Sequence, residues 1–310
     1  MIEFRNVTKL YGSVIGVNDI SMSLEPGAYG LLGPNGSGKT TFINLILGQL
    51  RPTIGQVTVF GGNPWNSDAM LRRIGICPAV EVLYNNVSAY EWVRYLVQLH
   101  GIGRIQAGHL AAESLARVGL EDAMLRRMGS YSLGMRQRAK LAQAFAHNPD
   151  LLILDEPFNG LDPIGRHEMT EFLREWIRGG KSVLLASHIL HEVEAISPSF
   201  LLICGGRLLA SGSPEEVHSM LADVPNEIRI RCNRPSELAK QMLENADVTS
   251  IRFDSKSDDL VVSTNHSLSV YSALPGWVST NGIQIEELRS SDESLHSLFG
   301  SLMRIHRGEQ

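Results

Sequence analysis

The chain reads as an α/β protein carrying a second, smaller α+β domain at its C-terminal end. Short, wholly or nearly apolar runs at 29–32, 151–154 and 182–186 have the length and composition of strands buried in a parallel sheet. A Gly-rich loop follows the first of these runs, two acids follow the second and Ser187-His188 follows the third. Beyond residue 226 the apolar period switches between two and 3.6 in the order βαββαβ, that of a split βαβ, ferredoxin-like sandwich.

Residues 2–8 and 20–24 alternate apolar and polar side chains, and Pro26-Gly27 ends the second stretch, so an antiparallel β start is expected. The run at 29–32, its loop and the helical spacing over 40–50 give strand, loop, helix. Ser88 followed by Glu91 predicts a capping box, with Trp92, Tyr95, Leu96 and Leu99 as the apolar stripe of the helix it opens. Residues 88–130 read as mostly helical, and a helical subdomain is placed at about 82–148. Composition shifts near Pro214 and again at Pro225-Asn226, which divides the chain into domains at 1–222 and 226–310. The second domain is expected to hold strands at 227–232, 248–254, 259–264 and 283–289, and helices at 235–245, 268–278 and 292–306. On the last helix Leu295, Leu298, Phe299 and Leu302 share a face.

At 310 residues, 43% of them hydrophobic and 20% charged, the chain can bury a sizeable core. Its 28 Lys and Arg against 33 Asp and Glu leave a net charge of −5, which excludes a partner held by bulk positive charge and predicts no nucleic-acid partner. No apolar stretch approaches the roughly 20 residues of a membrane span. The N-terminus lacks a charged segment leading into an apolar one, so a cytoplasmic protein is expected. Cys77, Cys204 and Cys232 are widely spaced, without a Cys-x-x-Cys pair, and read as reduced thiols. His188, His191 and Glu192 have helical spacing for metal ligation, but no further ligand cluster accompanies them.

The chemistry concentrates in two segments. Gly33-Pro34-Asn35-Gly36-Ser37-Gly38-Lys39-Thr40 fits a phosphate loop, whose backbone N–H groups and helix N-terminus surround phosphates while Lys39 adds a point charge. Asn35, Gly36, Ser37, Gly38, Lys39, Thr40 and Thr41 are therefore candidate nucleotide contacts, and the Thr40 hydroxyl a ligand for Mg²⁺. The apolar run at 151–154 delivers Asp155 and Glu156 to the carboxyl end of a strand, where ligands bind in parallel α/β sheets. Asp155 stands where a metal-holding acid is expected, and Glu156 is the group to orient or deprotonate a water.

Between them lies Tyr131-Ser132-Leu133-Gly134-Met135-Arg136-Gln137-Arg138, with Ser132 placed 23 residues before Asp155. Here the sequence resembles the ATP-binding subunits of ABC transporters. Ser132 and Gly134 match the Ser-x-Gly of that family's signature, Gly160-Leu161-Asp162 its D-loop, His188 its switch histidine, and Tyr11 the aromatic that stacks on adenine. The resemblance runs from residue 1 to about 217. It implies ATP and Mg²⁺ as ligands, with ATP sandwiched between the phosphate loop of one copy and the signature of another in a head-to-tail dimer. Taken alone, without the other motifs, Ser132 reads as an ordinary N-cap and Tyr11 as a partly buried aromatic near a Gly turn.

Two departures stand out. Leu133 replaces the second residue of the signature core, usually Gly. Ile74-Gly75-Ile76-Cys77-Pro78 matches the lead-in to the family's Q-loop, but Ala79 stands where the Gln belongs, with Glu81 two residues on as a substitute. The resemblance implies an ATPase, peripheral at the cytoplasmic face of the membrane, that powers a separate transmembrane permease. The Met-Arg-Gln-Arg continuation of the signature and Ser213-Pro214-Glu215-Glu216 look like the exporter-type group. A soluble non-transport ABC protein and a regulatory ATP-binding module of low turnover are the alternatives.

Overall fold

A computed structural model describes residues 1–80, 84–213, 216, 226–254, 259–280 and 282–290. Glu81, the helix expected at 292–306 and the segment at 217–225 lie outside these residues. The chain divides into two compact units, Met1–Pro214 and Glu215–Gln310, a division a few residues before the boundary read from composition.

In the first unit β1 (Ile2–Tyr11), β2 (Val14–Leu24) and β4 (Ile54–Val59) form an antiparallel sheet of order β2-β1-β4. The expected strands at 2–8 and 20–24 are longer than the alternation showed, because Gly12, at φ 62°, closes β1 onto β2 as a hairpin. The second sheet has the order β5-β6-β7-β3-β8-β9. Its members are β3 (Ala28–Leu32), β5 (Ile74–Cys77), β6 (Leu151–Asp155), β7 (Ser182–Ser187), β8 (Ser199–Cys204) and β9 (Arg207–Gly212), parallel except for β9. Every residue of β6 and β7 is buried, as two covered faces require.

Helix α1 (Lys39–Ile46) stops four residues before the expected end. Gly48 turns the chain at φ 66°, the Gln49 amide bonds back to the Asn44 carbonyl, and a Cβ at Gly48 would lie 2.0 Å from the Pro64 carbonyl oxygen. Phe42 of α1 stacks on Phe4 of β1 at 4.6 Å, inside a core that also takes Val17, Val57, Leu31, Ile153 and Leu201. Helix α2 is short (Asp68–Leu71). Then come α3 (Ala89–Leu99), α4 (Arg104–Arg117) and α5 (Leu133–Phe145). The capping box is present, Ser88 Oγ accepting from the Glu91 amide at 3.2 Å and Glu91 Oε2 from the Ser88 amide at 3.2 Å. The apolar stripe is corrected: Ala89, Trp92, Val93 and Val97 are buried, whereas Tyr95 and Leu99 are exposed. Helix α3 packs on α4, with the slim Val93 and Val97 buried on α3 and Ala107 and Ala111 buried on α4. Helices α6 (Pro163–Arg178) and α7 (Leu190–Glu194) complete the unit.

The second unit contains β10 (Asn226–Cys232), α8 (Pro235–Met242), β11 (Val248–Phe253), β12 (Leu260–Thr264), α9 (Ser267–Thr280) and β13 (Ile285–Ser290). Its sheet has the order β11-β12-β10-β13 with antiparallel neighbours, so β12 is inserted between β10 and β11, the two strands that α8 connects. Ile228, Ile230, Leu260 and Val262 face Leu238, Met242, Val270 and Leu274 in a core of its own.

Candidate nucleotide site

Parallel register brings three strand ends side by side. Leu32 of β3 pairs with Ser187 of β7, and Ala186 of β7 with Asp155 of β6. The phosphate loop, the acid pair and His188 therefore leave the sheet at one edge. The loop is built from glycines that approach backbone closely: a Cβ at Gly33 would lie 2.4 Å from Ser37 Oγ and 2.5 Å from the Ile203 carbonyl oxygen. Gly38, at φ 111°, is the residue before α1 and meets the Gly16 carbonyl oxygen in the same way. The β8–β9 turn braces the loop, its Gly206 amide donating to the Ser37 carbonyl at 2.8 Å. Sequence spacing gave no signal for that brace, since it joins residues far apart in the chain.

Lys39 is buried, and its Nζ donates to the Gly33 carbonyl at 2.5 Å and to the Pro34 carbonyl at 3.3 Å. Burial pushes its ammonium down, and the charges of Glu156 and Asp155 oppose that shift, which places both acids within electrostatic reach. Ser37 Oγ is buried with no hydrogen-bond partner. A loop with a buried cation, an unsatisfied hydroxyl and a helix N-terminus behind it fits an anionic ligand. Thr40 is exposed at the first turn of α1. Burial raises the Asp155 carboxyl, Glu156 adds to the shift, and Lys39 and Lys140 counteract it. Thr40 and Asp155 are both hard oxygen donors, the chemistry that suits Mg²⁺.

Glu156 follows β6 at φ 52°, a left-handed conformation unusual for a side chain of its kind. Its amide donates to the Ala186 carbonyl at 2.8 Å, and its Oε1 stands 2.8 Å from His188 Nδ1. His188 is thus held on Glu156. Glu192 is committed elsewhere, to Arg166 at 3.0 Å and to the Ser187 hydroxyl at 2.9 Å. Among the described residues no three His, Cys, Asp or Glu side chains converge as a metal site.

Tyr11 ends β1 with its ring against Gly16 and its hydroxyl 3.4 Å from Thr41 Oγ1, so the structure brings it to the first turn of α1. Asn35 and Gly36 are exposed on the loop. Ser132 caps α5, Oγ accepting from the Met135 amide at 3.2 Å. Gly134 lies against the D-loop, where a Cβ would stand 2.9 Å from the Gly160 carbonyl oxygen, and Leu133 packs on Gly160. The Asp162 carboxylate caps α6 by accepting from the Gly165 amide at 2.8 Å. Signature and D-loop thus form one exposed surface of this chain, built separately from the phosphate loop. Among the described residues no helix is long and apolar enough to cross a membrane.

Comparison with known proteins agrees with this arrangement. Residues 17–159 match the family model described as ABC transporter. The bacitracin transport ATP-binding protein BcrA of Bacillus licheniformis is 40% identical over 67% of this chain and 68% of its own. The Nod factor export ATP-binding protein I of Burkholderia orbicola is 37% identical over 69% of this chain and 71% of its own. A solved ATP-binding subunit of an ABC transporter superposes with a TM-score of 0.66 at 27% identity, over 71% of this chain and 93% of that one. A dimeric ATP-binding cassette bound to ADP and Pi, 22% identical with a TM-score of 0.63 over 69% of this chain and 98% of that one, shares the fold. With a phosphate loop, an acid pair and a histidine at one sheet edge and relatives of this identity, the chain belongs to the ABC transporter family, as one of its ATP-binding, ATP-hydrolysing subunits.

Proposed function

We propose that the chain binds ATP with Mg²⁺ and hydrolyses it to power a separate transmembrane permease, working at the cytoplasmic face of the membrane as a head-to-tail homodimer. The observation that carries this reading is the Glu156–His188 contact of 2.8 Å at the strand edge that also carries Lys39. Tyr11 stacks the adenine. The loop amides from Asn35 to Thr41 and the Lys39 ammonium hold the phosphates. Lys39 now donates to two loop carbonyls, and a phosphate oxygen exchanges those partners for a full charge. Thr40 and Asp155 would hold Mg²⁺, which supplies charge neutralisation at the phosphates when bound. Glu156 orients and deprotonates the attacking water, and His188 fixes the Glu156 carboxylate through Nδ1. Ser132 and Gly134 present a second helix N-terminus, used by the other copy's nucleotide, with Asp162 shaping the D-loop beside it. Relatives named for bacitracin transport and Nod factor export favour the export direction. The unit from 226 serves as a ferredoxin-like accessory domain that stabilises or regulates the dimer. Ala79 favours a second reading, a binding module of low turnover, and the retained Glu156–His188 pair weighs against it.

Glu156→Gln should lower ATP turnover by about 10²- to 10⁴-fold while ATP affinity stays near wild type. The same variant should dimerise by light scattering when ATP and Mg²⁺ are added. Wild-type turnover in this variant would overturn the hydrolytic assignment.

A further inference from the structure

The position where the resemblance expects a Gln is Ala79, yet the backbone there has a polar partner. Lys140, on α5, is buried, and its Nζ donates to the Ala79 carbonyl at 3.4 Å. Among the described residues no carboxylate lies within ion-pair distance of that ammonium. Two lysines act electrostatically on Asp155, Lys39 from the phosphate loop and Lys140 from α5. Lys140 also belongs to a polar row on α5. Gln137 Nε2 donates to the Pro157 carbonyl at 2.8 Å, just after the acid pair, and Gln143 Nε2 donates to the Ile76 carbonyl at 2.5 Å in β5. With spacings of three residues, this row ties the helix that starts at Ser132 both to the segment following β5 and to the end of β6.

We propose that Lys140 is a positioning residue for ATP hydrolysis in this chain, holding the backbone at Ala79 in place of the polar link that a Gln side chain would make and providing a fixed positive charge within electrostatic reach of Asp155. The inference rests on the hydrolytic reading above and assigns to α5 a part in the site beyond its N-terminus. A cation fixed in the protein costs no rearrangement during turnover, so its effect falls on the chemical step more than on ATP binding.

The test is steady-state ATP hydrolysis by the full-length protein with Mg²⁺, alongside ATP affinity and thermal unfolding. Lys140→Met should lower kcat about tenfold and change KM less than about twofold. Lys140→Arg should keep at least half of the wild-type kcat. Adding Ala79→Gln to Lys140→Met should recover at least threefold in kcat, because it restores an amide at the position where the resemblance expects Gln, and Ala79 is exposed enough to take the longer side chain. If Lys140→Met does not fold, Lys140→Gln is the replacement and the same loss is expected. A kcat within twofold of wild type in the folded variant overturns the proposal. So does an equal loss in Lys140→Arg, which assigns the residue to packing. Glu156→Gln separates the two levels of argument: its turnover must collapse if the hydrolytic reading holds, whatever Lys140 does.

Discussion

The sheet of the second unit and the strand ends that carry the site in the first treat their charged groups in opposite ways. In the second unit, charges on the sheet face away from the core are matched: Arg229 with Asp254 at 3.0 Å, Arg231 with Asp259 at 2.8 Å, and Arg252 with Glu227 at 2.8 Å. These pairs are partly exposed and add little stability each, leaving the Ile228–Leu238–Val262 core to hold the unit together. In the first unit, Lys39 is buried on backbone carbonyls, Ser37 Oγ has no partner, Asp155 is buried beside another acid, and Glu156 is held at positive φ. Matched charges describe a surface that is finished. A buried cation held on backbone carbonyls, an unsatisfied hydroxyl and a buried acid gathered at one sheet edge describe a site that a ligand completes.

The comparison is broken most forcefully at Lys39. Lys39→Ala should weaken ATP binding by about ten- to a hundredfold, from the loss of charge-assisted contacts, as measured by calorimetric titration. Unchanged affinity would mean that the buried cation of the first unit serves packing alone. Smaller and sharper is the effect of pH at His147. This ring stacks on His100 at 3.6 Å and its Nε2 meets the Ile74 carbonyl at 3.2 Å. Burial, assisted by the charges of His100 and Lys181, pushes His147 down from 6.5 to about 4. The unfolded chain then takes up this proton first as pH falls. The stability present above pH 6.5 is therefore lost progressively toward pH 4. His147→Phe should flatten the dependence of Tm on pH across that window, and an unchanged slope would assign it to other groups.

Contiguity decides what could be read from the sequence. The phosphate loop, the acid pair and the capping box each occupy a few consecutive residues, so spacing alone located them, and the apolar runs at 29–32, 151–154 and 182–186 lie within β3, β6 and β7. Sites assembled from distant segments were invisible. Gly206 under Ser37, Leu133 on Gly160 and Lys140 beside Ala79 are tertiary contacts, and nothing local distinguishes Lys140 from any other helical lysine. Periodicity also misplaced the face of α3 by a fraction of a turn, because the large rings and chains of Tyr95 and Leu99 compete in the pattern with the valines that are buried instead. Strand β4 was hidden for a related reason: its first three residues are exposed, which leaves little alternation to detect.

The central claim is that nucleotide chemistry belongs wholly to the first unit, whose unmatched groups all precede residue 214, while the second unit is folded around its own core. Truncation after Asp223, followed by measurement of ATP affinity and circular dichroism, tests it most directly. The account predicts a folded protein that binds ATP within about twofold of the full chain, since two units with separate cores act independently. A truncated protein that keeps its secondary structure and fails to bind ATP would contradict it.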